Sequence, residues 1–175
     1  MLSLAVVQLR NLGAAYTLTN AIFSNAELKH LETCPLNGQA LVLFQGPGTE
    51  SLVGALTQIS LNDIVASSVI AEVNPEILQA YYSLTNCNPA KLLVIIESEF
   101  AGVLFEAAQM LLKQDLKIMD FRVPRSLGTR SHMILTGNKI SDDLLIELKA
   151  RNLQVTVVND LSEKFRQFLS LDPQA

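Results

Sequence analysis

Few side chains in this sequence are of the kinds that bind metals, attack carbonyls or carry protons. There are two cysteines, Cys34 and Cys87. A thiolate can ligate a metal or an iron–sulfur cluster, but neither cysteine has a C-x-x-C partner, so each offers one ligand at most. The plain alternative for Cys34 is a small buried hydrophobe; Cys87 sits in a turn-rich stretch and reads as inert. His30 and His132 fall in strand-like segments, with no carboxylate or second histidine at ligand spacing, and read as structural. Glu97, Glu99 and Glu106 could suggest paired carboxylates for acid–base work, but no nucleophile or positioned histidine accompanies them. No G-x-G-x-x-G or G-K-[ST] motif is present. Gly46-Pro47-Gly48-Thr49 precedes a helix, a geometry that can receive phosphate; it lacks the lysine and reads as a hairpin-to-helix turn. These residues do not make an enzyme.

The composition points the same way. Of 175 residues, 49% are apolar and only 17% charged, with a formal net charge of −4. There is ample material for a packed core. The low charge also implies that much of the surface is covered, most economically by other copies of the chain. A net negative chain whose one basic cluster is Arg122, Arg125 and Arg130 has no nucleic-acid footprint. No apolar run reaches the ~20 residues of a membrane span. The first seven residues lack the basic region of a signal peptide. Two cysteines make no disulfide framework, so a reducing, cytoplasmic setting is expected.

What would position such residues is a repeat. The chain matches itself at a shift of about 89 residues, the shift that lays Gly13 on Gly102. Leu4 to Gln8 then lies on Leu93 to Glu97, both read as buried strands. Helical stretches follow, Ala14 to Ser24 and Val103 to Lys113. Second strands open at Leu28-Lys29 and Leu116-Lys117. Turns rich in Pro, Gly and Asn come next, Pro35 to Gly38 and Pro124 to Gly128. Third strands are Ala40 to Phe44 against His132 to Thr136, each stopping at a glycine, Gly46 or Gly137. Second helices are Glu50 to Ile59 and Ser141 to Ala150, the latter with Ser141 as N-cap and Asp142 and Asp143 in its first turn. Fourth strands are Val65 to Ala71 and Gln154 to Val158. Short helices at Pro75 and Ser162 end the halves. Each half therefore reads β-α-β-β-α-β-α, an α+β module with helices on one face of a four-stranded, mostly antiparallel sheet, related to the ferredoxin-like fold. The modules are residues 1–86 and 91–175, and the turn-rich linker at their boundary is Thr85-Asn86-Cys87-Asn88-Pro89-Ala90.

In order and spacing this module resembles the bacterial microcompartment shell domain. That family opens with a strand and a Gly-led helix of the type E-A-A-D-x-x-x-K. The second half carries the pattern in Ile95-Ile96-Glu97-Ser98, Gly102, and Glu106-Ala107-Ala108-Gln109-Met110-Leu111-Leu112-Lys113. A strand, a Gly/Ser-bearing loop, a strand and the turn Gly137-Asn138 follow in the family's order. The first half is more degenerate, with Gly13, Asn20-Ala21-Ile22 and Gly46-Pro47 in the matching places. The resemblance covers nearly the whole chain and is closest to the tandem-domain members. Thr33-Cys34-Pro35 and Val73-Asn74-Pro75-Glu76-Ile77-Leu78 are similar to the propanediol-utilisation type.

The resemblance implies a non-enzymatic shell protein in the bacterial cytoplasm: a homotrimer forming a pseudohexameric plate that meets other shell proteins and passes small metabolites. Leu36, Asn37, Gly38 and Gln39, with Arg125, Ser126, Leu127 and Gly128, would line its pore. Arg125 would either form a positive ring that attracts small anions or be a solvated loop arginine. Lys113 matches the family's edge lysine, used in tiling; the first half has Ser24 there, and both halves lack the usual Gly-Ser-Gly pore loop. No cofactor is expected. The alternative is an iron–sulfur cluster on the threefold axis, which some tandem members hold with one cysteine per chain, here Cys34. A second reading from another class also fits the element order: a duplicated ferredoxin-like regulatory module that senses a small molecule.

Overall fold

The computed structural model describes residues 2–36, 38–85, 87–123 and 130–171. The elements run β1 (Ser3–Leu9), α1 (Leu12–Phe23), β2 (Lys29–Leu36), β3 (Gln39–Gly46), α2 (Thr49–Leu56), β4 (Ile64–Ile70), α3 (Pro75–Tyr81), β5 (Leu92–Ser98), α4 (Ala101–Leu111), β6 (Lys117–Arg122), β7 (Ser131–Gly137), α5 (Asp142–Ala150), β8 (Gln154–Val158) and α6 (Glu163–Leu171). There are two four-stranded sheets, ordered β2-β3-β1-β4 and β6-β7-β5-β8, and every neighbouring pair is antiparallel. The expected duplicated α+β module is the fold observed.

The two sheets repeat each other in details that no residue identity announces. Each second strand carries one irregularity at the same place, between His30 and Glu32 and between Ile118 and Asp120. Just past each fourth strand one residue turns into the left-handed region, Glu72 (φ 49°) and Asp160 (φ 53°). The Val73 N–H then donates to the Leu2 carbonyl, as the Leu161 N–H does to that of Lys91, both at 3.0 Å. These registers correct the sequence alignment in one place. Leu9 pairs with Ala40 and Ser98 with Ser131, so Ala40 corresponds to Ser131, and His132 to Leu41.

The chain divides into two compact units. The first holds the chain up to Val73 together with Phe100–Glu106; the second holds Asn74–Glu99, Ala107–Val123 and the chain from Arg130 on. In the first unit, Ala5, Val7 and Leu9 of β1 and Ala40, Val42 and Phe44 of β3 share one sheet face. They bury against Ala14, Ala15, Leu18 and Ile22 of α1 and Leu52 and Ala55 of α2. The period of two in the strands and of three to four in the helices fixes that layer. Helix α1 begins at Asn11, whose side chain accepts from the Ala14 N–H at 2.9 Å. In the second unit, α3 lies against β6, with the Tyr81 and Phe121 rings edge-on at 6.0 Å. The helix that ends the first sequence repeat is thus packed with the second sheet. Ser141 caps α5 as expected, accepting from the Leu144 N–H at 3.4 Å.

Candidate functional site

The residues assigned to a pore in the first half sit at the β2–β3 hairpin, where Leu36 pairs with Gln39. Gly38 turns the chain at φ 78°, a conformation that favours glycine, and is exposed. Leu36 is buried. Gln39 is half-buried, and its side-chain oxygen accepts from Gln8 Nε2 at 2.6 Å. Pro35 belongs to β2 and not to the turn. Asn37, Arg125, Ser126, Leu127 and Gly128 lie outside the described residues.

Cys34 is in β2, paired with Leu41, and only 6% exposed. Nothing in the described residues gathers three His, Cys, Asp or Glu side chains into a metal-binding group. A cluster would therefore have to draw one buried sulfur from each of several chains. Cys87 is half-buried and its thiol donates to the Ile118 carbonyl at 3.5 Å. Burial pushes that thiol's pKa up, against the pull of Lys117. Lys113 is exposed in the single 3-10 turn, Leu112–Gln114, that continues α4 and ends at left-handed Asp115. Gly46 is explained by packing: a Cβ there would stand 2.9 Å from both Leu28 and Ser51.

His30 and His132 part company. His30 Nε2 lies 2.8 Å from Thr33 Oγ1, which is 2.7 Å from Thr19 Oγ1, and its ring stacks obliquely on Phe23 at 5.1 Å. That is a structural setting. His132 does have a carboxylate partner, contrary to the sequence reading. The hairpin of β6 and β7 brings Asp120 Oδ2 within 3.4 Å of its Nε2, and Asp120 Oδ1 accepts from Arg122 Nε at 3.1 Å. Burial pushes the Asp120 carboxyl up, but hydrogen bonds from His132 and Arg122, with their charges, outweigh it and leave its pKa below the ordinary value. The hydrogen bond to Asp120 is the largest influence on His132 and raises its pKa; partial burial opposes it. A signal for this was present in the sequence. Asp120 and Arg122 are two apart in a strand, so they share a face. What was missing was the register that lays Arg122 opposite His132.

Glu97 lies opposite His132 on one side and Gln154 on the other, all on the same sheet face. Arg130, close by in sequence, reaches Gln154 Oε1 at 2.7 Å and Glu99 at 3.5 Å. The face so formed carries Arg122, His132, Glu97 and Gln154 side by side across its four strands. Asp120, held below its ordinary pKa against its burial by hydrogen bonds from His132 and Arg122, is a poor proton acceptor. The arrangement suits recognition of a polar or charged surface better than turnover.

No family model matches the sequence, and no curated protein does. Among solved structures, the chain matches a microcompartment protein from Desulfitobacterium hafniense DCB at 21% identity and a TM-score of 0.78, over 95% of this chain and 99% of that one. That establishes a shared fold along the whole length. A glycine cleavage system transcriptional repressor (11% identity, 91% of this chain and 98% of that one) and a chlorite dismutase (10%, 96% and 99%) align with TM-scores of only 0.30 and 0.34. Within the described residues no helix is long and apolar enough to cross a membrane.

Proposed function

We propose that this chain is a structural component of a bacterial microcompartment shell in the cytoplasm, and not an enzyme. Three copies of the two-module chain would form a pseudohexameric plate that joins other shell proteins and passes small metabolites through a central pore. The carrying observation is the fold shared with the microcompartment protein over nearly the full length of both chains. The low charge and high apolar content support self-assembly. The pore rim would be built from the hairpin around Gly38 and its counterpart at 125–128.

Light scattering on the purified chain tests this reading first: three chain masses are expected at micromolar concentration, and a stable monomer would sink it. The second test concerns tiling. Lys113→Ala is expected to leave the trimer intact and reduce sheet formation in electron micrographs, since Lys113 stands exposed beyond the end of α4. Cys34 is proposed to serve packing and the plate to carry no cofactor. After anaerobic reconstitution with iron and sulfide, the native chain and Cys34→Ser should hold equal iron; bound iron lost in the variant would reinstate electron passage.

A further inference from the structure

The second unit has a cavity of about 520 Å³ beside its last helix, lined by Pro89, Glu163, Arg166, Gln167 and Ser170. The four helical residues are spaced i, i+3, i+4 and i+7, so they form one face of α6. Arg166 Nε is buried, and its N–H has no acceptor among the described residues. Glu163, one turn earlier on the same face, does not accept from it. A permanently charged guanidinium with a buried, unmade hydrogen bond is an uncommon and costly arrangement.

The fold does not ask for that arginine. The Val73 and Leu161 N–H groups make the same bond in the two repeats. Counting on from them sets Arg166 against Leu78 of α3, which is half-buried. An apolar side chain therefore serves this position in the first repeat. The groups around Arg166 sort by what they offer. Ser170 Oγ donates to the Arg166 carbonyl at 2.9 Å, so its one proton is spent. The Gln167 amide, on an exposed residue of the same face, has two N–H donors. Glu163, also exposed, puts a negative charge at one end of the row.

We propose that this cavity binds a small monocarboxylate. The ligand's two oxygens take the Arg166 guanidinium side-on, accepting from Nε and one Nη in the planar, two-bond geometry that suits a carboxylate. Gln167 is a further donor. The Arg166 side chain turns to present its Nε–H as the ligand enters, exchanging a buried unmade bond for a charge-assisted pair. Pro89 gives a short hydrocarbon tail an apolar wall. Glu163 makes a second negative charge unwelcome, so a monoanion is preferred to phosphate or a dicarboxylate. The site shares no residue with the hairpins assigned to the pore and does not depend on the shell reading.

Saturation-transfer NMR with butyrate on the full chain tests it. Binding should saturate with a dissociation constant on the order of 1 mM, and butyramide, similar in shape but uncharged, should not compete. Arg166→Gln should weaken butyrate about tenfold or more. Arg166→Lys should recover only part of that loss, because a point charge lacks the planar fork. Glu163→Gln should tighten butyrate and admit phosphate. Melting curves separate a ligand site from a structural role. Without ligand, Arg166→Gln should melt no lower than the native chain, and butyrate should raise the melting temperature of the native chain and not of the variant. If Arg166→Gln does not fold, butyramide competition and Glu163→Gln decide. No saturable butyrate binding, equal binding by the native chain and Arg166→Gln, or equal competition by butyramide overturns the site. Chain mass remains the test of the shell reading, so either conclusion can fail alone.

Discussion

The two sheets share an architecture and differ in what their outward faces carry. Along the first, Val6, Gln8, Leu41 and Leu43 are buried. Along the second, the same positions hold Ile95, Glu97, His132 and Ile134, all half-exposed, with Asp120 and Arg122 alongside. The helix turns differ in the opposite sense: Ala101, Gly102 and Phe105 are inside, and Leu12, Gly13 and Tyr16 outside. The face that is buried in one copy of the module is half-exposed in the other. The copy left open is free to take charge, and it has done so, because a half-wet face tolerates a histidine–aspartate–arginine network that a dry one would penalise.

The comparison can be broken most sharply at the aromatic pair. Phe105→Ala should cost about 3–5 kcal/mol of folding stability, as fully buried phenylalanines do. Tyr16→Ala should change the monomer's stability by no more than about 0.5 kcal/mol, and urea titration of both reads the difference. The glycines come next. Gly102→Ala would drive a Cβ into Ser68 and should cost about 1–3 kcal/mol. Gly13→Ala would bring a Cβ to 3.1 Å from the capping Asn11 Oδ1, so alanine's better helix propensity is set against a small shift of the cap and the change should stay within about 1 kcal/mol. Equal effects at the two glycines would remove the asymmetry.

The smallest effect is electrostatic. His132 has a raised pKa in the fold, so its contribution is complete below the unfolded-state pKa and fades as pH rises through the folded one. Asp120 is lowered, so its contribution holds above the unfolded carboxylate range and is lost as pH falls through the folded value. The pair therefore stabilises most between those ranges. Melting temperature of the native chain should fall relative to His132→Gln between about pH 6 and pH 8. Both side chains are partly solvated, so the difference should stay within about 1 kcal/mol. The first sheet has Leu41 at the corresponding position, and Leu41→Gln should show no such pH dependence.

The order of elements was legible in the sequence because strands and helices announce themselves by period. Leu4 to Gln8 and Leu93 to Glu97 are apolar runs too short for anything but buried strands, and Ser141 marks its helix by its own chemistry. The alignment slipped by one residue at the third strand, where the apolar runs were laid together rather than the glycines that end them. There Ala40 answers Ser131, the offset that Gly46 and Gly137 also carry, and pairing with Leu9 and Ser98 fixes it. His132 shows the same limit. Its partner Asp120 is twelve residues away, across a hairpin whose register decides whether they meet.

By itself, then, the sequence determined that one module is written twice, since patterns of hydrophobicity and turn residues survive when identities do not. Only the tertiary structure decided which surfaces the two copies bury. Burial depends on what comes to lie against a face, and the segment that covers Gln8 and Ser68 comes from about 30 to 90 residues further along the chain. No local pattern records that contact. The same apolar-to-polar alternation would serve a covered face or an open one, and the difference between Leu41 and His132 acquires its meaning when one is found dry and the other wet.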